Sequence, residues 1–210
     1  MPSMHPSRRH DPRSDPSLAT AQRIGGELGL TGTLQLGFVV DDMDAACRRI
    51  GARLGVGAWY RPRVIKQKLV FDSRPIDVPL IIVVGYVGAV QVELIQRDAG
   101  RGSIFEWPSR DAEATPHHFG FIVDSVEAHR MRLAAQGLRA VQHGSIWFAK
   151  GHRTRVAYID ARPSLGAIVE LIEHRVQGVN IGMPSWYVKL GAAAGLVGRF
   201  GMSQHDPRCL

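Results

Sequence analysis

The strongest constraint on the fold of this chain is an internal repeat. Residues 35–46 read QLGFVVDDMDAA and residues 118–129 read HFGFIVDSVEAH, with Gly, Phe, Val, Asp and Ala identical in register. A second match follows in each half, since VELI occurs at residues 92–95 and again at residues 169–172. Two matches that keep their order and nearly their spacing indicate two copies of one supersecondary unit.

Each copy is predicted to begin with a strand that leads into a helix. Aromatic and β-branched residues precede the aspartates, and Asp41 and Asp124 are the predicted helix caps. The helices are expected to end near Leu54 and Gln136, each close to a glycine. The remaining strand-like runs are residues 59–71 and 79–86 in the first copy, and 139–144, 146–150 and 155–160 in the second. This pattern predicts an α+β fold made of two β-α-β-β-β units.

Strand geometry places four polar side chains at repeat-equivalent positions. Successive side chains of a strand point to opposite faces, so Gln35 and His118 are equivalent in the first strands. By the same alternation Glu93 and Glu170 are equivalent in the two VELI strands. His117 then falls on the face that packs against the helix, where we expect a packing or hydrogen-bond contact.

These four residues are candidate metal ligands. Burying a carboxylate among apolar strand residues costs several kcal/mol unless something compensates, and a divalent cation is the usual compensation. Taken singly, each Glu is better explained by solvent exposure or an Arg partner, and the His by a structural role. As a set, one imidazole and three oxygen donors suit zinc, cobalt, nickel, manganese or magnesium. We predict one divalent metal ion.

The GFVVDDMDAA and HHFGFIVDSVEA openings, the two VELI endings and the AYID…GAIVELIE tail resemble the vicinal oxygen chelate superfamily over residues 34 to 174. The resemblance implies two βαβββ modules that form a curled, cup-shaped mixed sheet around the metal. It also implies ligands on the first and last strands of each module, at the positions of Gln35, Glu93, His118 and Glu170.

The ligand set is most similar to those of glyoxalase I and methylmalonyl-CoA epimerase. We therefore expect an isomerase, epimerase or lyase that removes a proton next to a carbonyl, with Glu170 as the base and Glu93 as its partner. Two alternatives are a metal-dependent dioxygenase, in which a His would replace Gln35, and a metal-free binding or resistance protein.

The predicted organisation is a disordered leader at residues 1–30, a first module at 31–110, a second at 111–175 and a C-terminal extension at 176–210. The leader prediction rests on its Pro, Ser, Arg and Asp content, with no apolar run of signal-peptide length. No apolar stretch is long enough to span a membrane. The two cysteines cannot form a disulfide framework, and we expect a cytoplasmic homodimer.

The net charge of +7 favours an anionic partner. Because Lys and Arg are scattered among acidic residues, no basic helix or basic-aromatic surface indicates nucleic-acid binding. We expect a small anionic substrate instead. The basic residues that could hold it, or that could simply form a solvated strand edge, are Arg61, Arg63, Lys66 and Lys68.

Overall fold

The computed structural model describes residues 16–32, 34–96, 102–107 and 114–201. The helices are α1 (Pro16–Leu28), α2 (Met43–Leu54), α3 (Val126–Ala134), α4 (Arg162–Leu165) and α5 (Ser185–Ala193), with a 3-10 turn at Ile104–Glu106. The strands are β1 (Leu34–Val40), β2 (Trp59–Pro62), β3 (Lys66–Phe71), β4 (Arg74–Ile76), β5 (Ile82–Val87), β6 (Val90–Gln96), β7 (Ala114–Ile122), β8 (Ala140–Ala149), β9 (His152–Ala161), β10 (Ala167–Val176), β11 (Val179–Asn180) and β12 (Val197–Phe200).

The strands of the described residues form one mixed sheet. Its order is β12-β2-β5-β6-β1-β7-β10-β9-β8-β3-β4, with β11 beside β10. The first unit supplies β2-β5-β6-β1 and the second supplies β7-β10-β9-β8. In each unit the first strand lies parallel to the last, β1 to β6 and β7 to β10, and the two units meet where β1 runs antiparallel to β7. The predicted α+β fold and the duplication are confirmed.

The helices of the two units begin one residue later than predicted. The side chain of Asp42, not Asp41, accepts a hydrogen bond from the Ala45 amide, and Ser125, not Asp124, accepts one from Ala128. Both acceptors stand where a cap satisfies an amide that has no partner within the helix. Helix α3 also ends at Ala134, two residues before the predicted Gln136.

The run at residues 59–71 is two strands that separate, contrary to the single strand-like run expected. β2 ends at Pro62, which has no amide hydrogen to continue the ladder, and it pairs with β5. β3 crosses to the other end of the sheet and pairs with β8 of the second unit, forming a hairpin with β4. Residues 139–150, expected as two runs, form the single strand β8.

The predicted disordered leader is wrong for Pro16–Leu28, which forms helix α1. Ala21, Ile24 and Leu28 recur at the spacing of one helix face, and all three are buried. They pack in a cluster that includes Phe121 of β7. The polar composition of residues 1–30 favoured a prediction of disorder, because the apolar face of this helix is short. The rest of the leader, residues 1–15, lies outside the described residues.

The two faces of the sheet are covered differently. On one face, α1 and α3 pack on the second unit and α2 packs on the first. The opposite face carries a cluster that includes Tyr60, Phe105 and Tyr158 and is joined by Val188 of α5. The C-terminal extension therefore lies over this second face, and its strand β12 pairs with β2. Within the described residues, no helix combines the length and apolar character needed to cross a membrane.

Candidate active site

The four side chains singled out in the sequence lie on four adjacent strands at the centre of the sheet. Glu93 is on β6, Gln35 on β1, His118 on β7 and Glu170 on β10. Each is buried, with at most 8% of its surface exposed. All four point into the face that α5 covers, where Gln35, Glu93 and Glu170 line a cavity.

Three oxygens surround one nitrogen at the centre of this group. His118 Nε2 lies 3.1 Å from Gln35 Oε1, 3.4 Å from Glu93 Oε2 and 3.0 Å from Glu170 Oε2. An imidazole nitrogen carries at most one hydrogen and cannot satisfy three acceptors. At least two of the three oxygens therefore receive no hydrogen bond from His118 Nε2, although all three face the same point.

His117 also lies on this face, which corrects the prediction that it faces the helices. The pairing of β1 with β7 shifts register between Gly37 and Phe38, which pair with His118 and Pro116 respectively. The extra residue is a β-bulge, which interrupts the alternation of side chains. His117 therefore follows His118 into the interior and packs against Phe105, with ring centroids 5.5 Å apart.

The hydrogen bonds of His117 determine which nitrogen of His118 is available. His117 Nε2 lies 3.1 Å from the Ile104 carbonyl, which can only accept, so His117 Nε2 donates. In a neutral ring His117 Nδ1 then accepts, and its partner at 3.0 Å is His118 Nδ1. In a neutral His118 ring Nδ1 must then donate, which leaves the lone pair on Nε2; in a protonated ring Nε2 instead carries a hydrogen directed at the carboxylates. Such orientation through the far nitrogen is typical of metal-binding histidines.

The electrostatics of the site reflect two carboxylates in a dry environment. Burial raises the pKa of Glu93, and repulsion from Glu170 adds to the increase. Burial alone lowers the pKa of His118, but attraction and hydrogen bonding from Glu170 and Glu93 raise it to about 9. Burial also raises the pKa of Tyr158, whose ring packs edge-on against His118. Glu93 and Glu170, when ionised, thus favour a positive charge at the position that His118 Nε2 faces.

A divalent cation fits these residues. Glu93 Oε2 and Glu170 Oε2 are buried, and both lie beside His118 Nε2, so that one imidazole nitrogen is shared between two carboxylates. Ligand atoms of Glu93, His118 and Glu170 all lie within 4.8 Å of one another. Neighbouring ligands at about 2.1 Å from one ion lie about 3.0 to 3.4 Å apart in octahedral or tetrahedral arrangements, which is the range seen around His118 Nε2.

Gln91 is a functional neighbour that the sequence analysis missed. Its Oε1 accepts a hydrogen bond of 2.7 Å from Gln35 Nε2, so that Gln35 Oε1 faces His118. Gln91 Nε2 donates in turn to the Tyr86 hydroxyl at 2.7 Å, and that hydroxyl donates to the Met183 carbonyl at 3.1 Å. Since Gln91 lies two residues before Glu93 on the same strand, the alternation of faces would have identified it.

None of the four basic residues that could have held an anionic group lines the cavity. Their side chains are exposed, and the Lys66 ammonium stacks over Trp147, 5.5 Å from the ring centroid. The cavity wall that the structure describes contains no Lys or Arg. These residues are thus solvated, as in the alternative that the sequence left open, but they do not form an edge of the sheet, since β2 and β3 each lie between two other strands. The four basic residues are Arg61, Arg63, Lys66 and Lys68.

The C-terminal extension closes the open side of the cavity. Met183 lines the cavity directly, and Val188 is 5% exposed against its apolar wall. The Tyr187 hydroxyl lies 2.6 Å from His152 Nδ1, and its ring lies 5.3 Å from that of His174. The C-terminal extension therefore borders the cavity that contains Glu93 and Glu170.

Comparisons with known proteins found one family model and a group of solved structures. The family is described as the Glyoxalase/Bleomycin resistance protein/Dioxygenase superfamily, and its model matches residues 34–158. No match was found among curated proteins.

Three of the similar structures illustrate the range. Methylmalonyl-CoA epimerase from Mycobacterium tuberculosis is 20% identical with a TM-score of 0.45, and the match covers 68% of this chain and 87% of that one. A variant of the Streptomyces coelicolor methylmalonyl-CoA epimerase, in complex with 2-nitronate-propionyl-CoA, is 17% identical with a TM-score of 0.45. The match covers 68% of this chain and 96% of that one. A hypothetical protein from Bacillus halodurans is 17% identical with a TM-score of 0.46, and the match covers 70% of this chain and 96% of that one.

Proposed function

Because the chain belongs to the glyoxalase/bleomycin resistance protein/dioxygenase superfamily, we propose that it is a divalent-metal-dependent isomerase, epimerase or lyase. Its reaction would remove a proton from the carbon next to a carbonyl group. The observation that carries the proposal is the convergence of the Gln35, Glu93 and Glu170 oxygens on His118 Nε2. Zinc, cobalt, nickel, manganese and magnesium all suit this donor set.

Gln35, Glu93, His118 and Glu170 would hold the ion. When bound, the ion supplies positive charge that stabilises the negative charge developing on the carbonyl oxygen. Glu170 Oε2, which lies 3.0 Å from His118 Nε2, would accept the α-proton. Glu93, on the other side of His118, would return it. Two carboxylates on opposite sides of one carbon suit isomerisation or epimerisation.

The environment supports these roles for the carboxylates. Burial and the neighbouring Glu170 raise the pKa of Glu93, which makes its carboxylate a stronger base than an exposed one. Ile82, Val84 and Val156 contribute apolar side chains to the wall of the cavity that contains the carboxylates. Apolar surroundings strengthen the electrostatic interactions inside the cavity.

Metal dependence is tested first. The full chain is treated with a chelator, reloaded separately with each candidate ion, and assayed for bound metal by mass spectrometry. We expect one ion per chain. A protein that binds none of the five ions would contradict the proposal and would favour a metal-free binding protein.

The proton transfer is tested by isotope exchange. Candidate ketones, keto acids and acyl thioesters are incubated with the reloaded protein in D₂O, and deuterium at the α-carbon is measured by NMR. Glu170→Gln is expected to lower the exchange rate by roughly a hundred-fold or more, since positioned acid-base catalysis contributes that range. The exposed Glu106→Gln variant should exchange at the rate of the unmodified protein.

Oxygen consumption without α-proton exchange would favour a dioxygenase instead. One feature argues against that alternative. The second imidazole near the site, His117, contacts His118 Nδ1 and the Ile104 carbonyl and does not face the carboxylates. We propose further that the partner is a small molecule and that the chain forms a homodimer, which light scattering of the purified protein would test.

A further inference from the structure

Gln142 lines the same cavity as the two carboxylates. It is only 1% exposed and lies on β8. Gln142 pairs with Tyr158 of β9, and Tyr158 pairs with Glu170 of β10, so the three residues form one row across the sheet. Side chains of such a row point to the same face. Gln142 therefore stands two strands from Glu170, about 10 Å along the backbone row.

The orientation of the Gln142 amide is determined by its partner. The Ile104 amide hydrogen is donated to Gln142 Oε1 over 3.1 Å. A backbone N–H can only donate, so the atom it contacts is the oxygen. The other atom, Nε2, is therefore the amide nitrogen with its two hydrogens.

Gln142 Nε2 is a buried donor without an acceptor. No described residue accepts a hydrogen bond from it. Leaving a buried donor unsatisfied is unfavourable, and native proteins rarely retain one without a ligand, a water or a functional reason. Because the side chain lines the cavity, a molecule inside the cavity is in position to supply the acceptor.

The wall of this cavity is mostly apolar, and the charged residues that line it, Glu93 and Glu170, are both acidic. It is formed by side chains such as Leu80, Ile82, Val84, Phe105, Ile146 and Val156. None of the lining residues that the structure describes is a Lys or Arg. A carboxylate or phosphate beside Gln142 would therefore lose its hydration without gaining a cationic partner.

We propose that Gln142 Nε2 binds an uncharged oxygen of the substrate, a hydroxyl or carbonyl group, and thereby selects substrates whose reacting portion is neutral. This inference rests on the proposed function for the assignment of the reacting carbon. It adds a specificity residue that the repeat does not contain, since the second unit alone supplies Gln142. It also places the anionic part of any charged substrate outside the cavity.

The test uses acetoin and lactate as probes. Both molecules carry a methyl group and a hydroxyl on one carbon, but acetoin has an uncharged methyl ketone where lactate has a carboxylate. Binding to the zinc-loaded full chain is measured by saturation-transfer NMR, which requires no turnover. Deuterium exchange at the hydroxyl-bearing carbon of acetoin is recorded on the same samples.

We expect acetoin to bind more tightly than lactate, and Gln142→Leu to weaken acetoin binding about tenfold through loss of the hydrogen bond. Gln142→Glu retains an acceptor for the Ile104 amide while removing the donor, and it should weaken acetoin binding likewise if the Leu variant does not fold. Gln136→Leu, at an exposed position in the turn after α3, is the matched control and should bind acetoin normally. Zinc content should be equal in all four proteins.

Three results would overturn the inference: lactate binding more tightly than acetoin, no acetoin binding at all, or unchanged acetoin binding in the Gln142 variants. Failure of the proposed function gives a different result. In that case acetoin binds in a Gln142-dependent manner but gains no deuterium.

Discussion

Gly37 and Gly120 occupy equivalent positions in the repeat, and each leaves space for a side chain of the site. A Cβ atom on Gly37 would overlap the His118 ring, and one on Gly120 would lie 2.8 Å from the Gln35 Cβ. Glycine is therefore needed at both positions, because His118 and Gln35 of the site occupy the space that a larger residue would fill. The identity of Gly in both copies has a physical cause.

Gly37→Ala tests this relation. The added methyl group would force the buried His118 ring out of its position, and overpacking of this kind costs about 1–3 kcal/mol. We expect a lower midpoint of urea unfolding together with weaker zinc binding. Gly57→Ala is the control, because a Cβ at Gly57 meets no atom within 4 Å. Equal stability and zinc affinity in the two variants would show that Gly37 has no such role.

At the scale of elements, alternation along strands predicted most of the site. In each of the four strands an apolar side chain next to the candidate residue packs against a helix. This alternation identified the other face of the sheet as that of Gln35, Glu93, His118 and Glu170. The same rule failed at His117, since a β-bulge depends on the pairing of two strands and leaves no mark in either sequence alone. The path of β3 to β8 was equally hidden, because edge pairing is decided by tertiary structure.

Helix α1 is the element for which composition was most misleading. Its buried residues contribute to the core of the second unit, and Ile24 is 0% exposed. Ile24→Ala should destabilise the chain by about 2–5 kcal/mol, the range for truncating a buried aliphatic side chain. Gln22→Ala, on the exposed face of the same helix, should change stability little. Denaturant unfolding of both variants measures the difference, and an equally stable Ile24 variant would contradict the packing.

At the scale of the whole molecule, the C-terminal extension depends on a buried neutral histidine. His174 is 1% exposed, and its Nδ1 lies 2.7 Å from the Thr154 hydroxyl. Burial, with a contribution from His152, lowers the pKa of His174 from 6.5 to about 4. Between these values the unfolded chain takes up a proton that the folded chain does not. Stability contributed by neutral His174 is therefore complete above pH 6.5 and decreases as the pH falls towards 4.

The expected loss is up to about 1.4 kcal/mol for each pH unit in this window. We predict that the free energy of unfolding falls between pH 7 and pH 5 in the unmodified chain, and falls less in His174→Gln. His129→Gln, on α3, serves as the comparison and should retain the full decrease. Parallel pH dependence in all three proteins would show that His174 does not govern it.

The crossing of the β3–β4 hairpin has a consequence for how the molecule is made. Leu69 completes its backbone pairing only with Gly144, so the amino-terminal half emerges from the ribosome with a hairpin whose partner has not been synthesised. Long-range pairing of this kind slows folding and leaves an unpaired edge exposed in the interim. The two halves share a duplicated unit but are therefore not separable. A chain ending between them would lack β8, the strand with which the β3–β4 hairpin pairs.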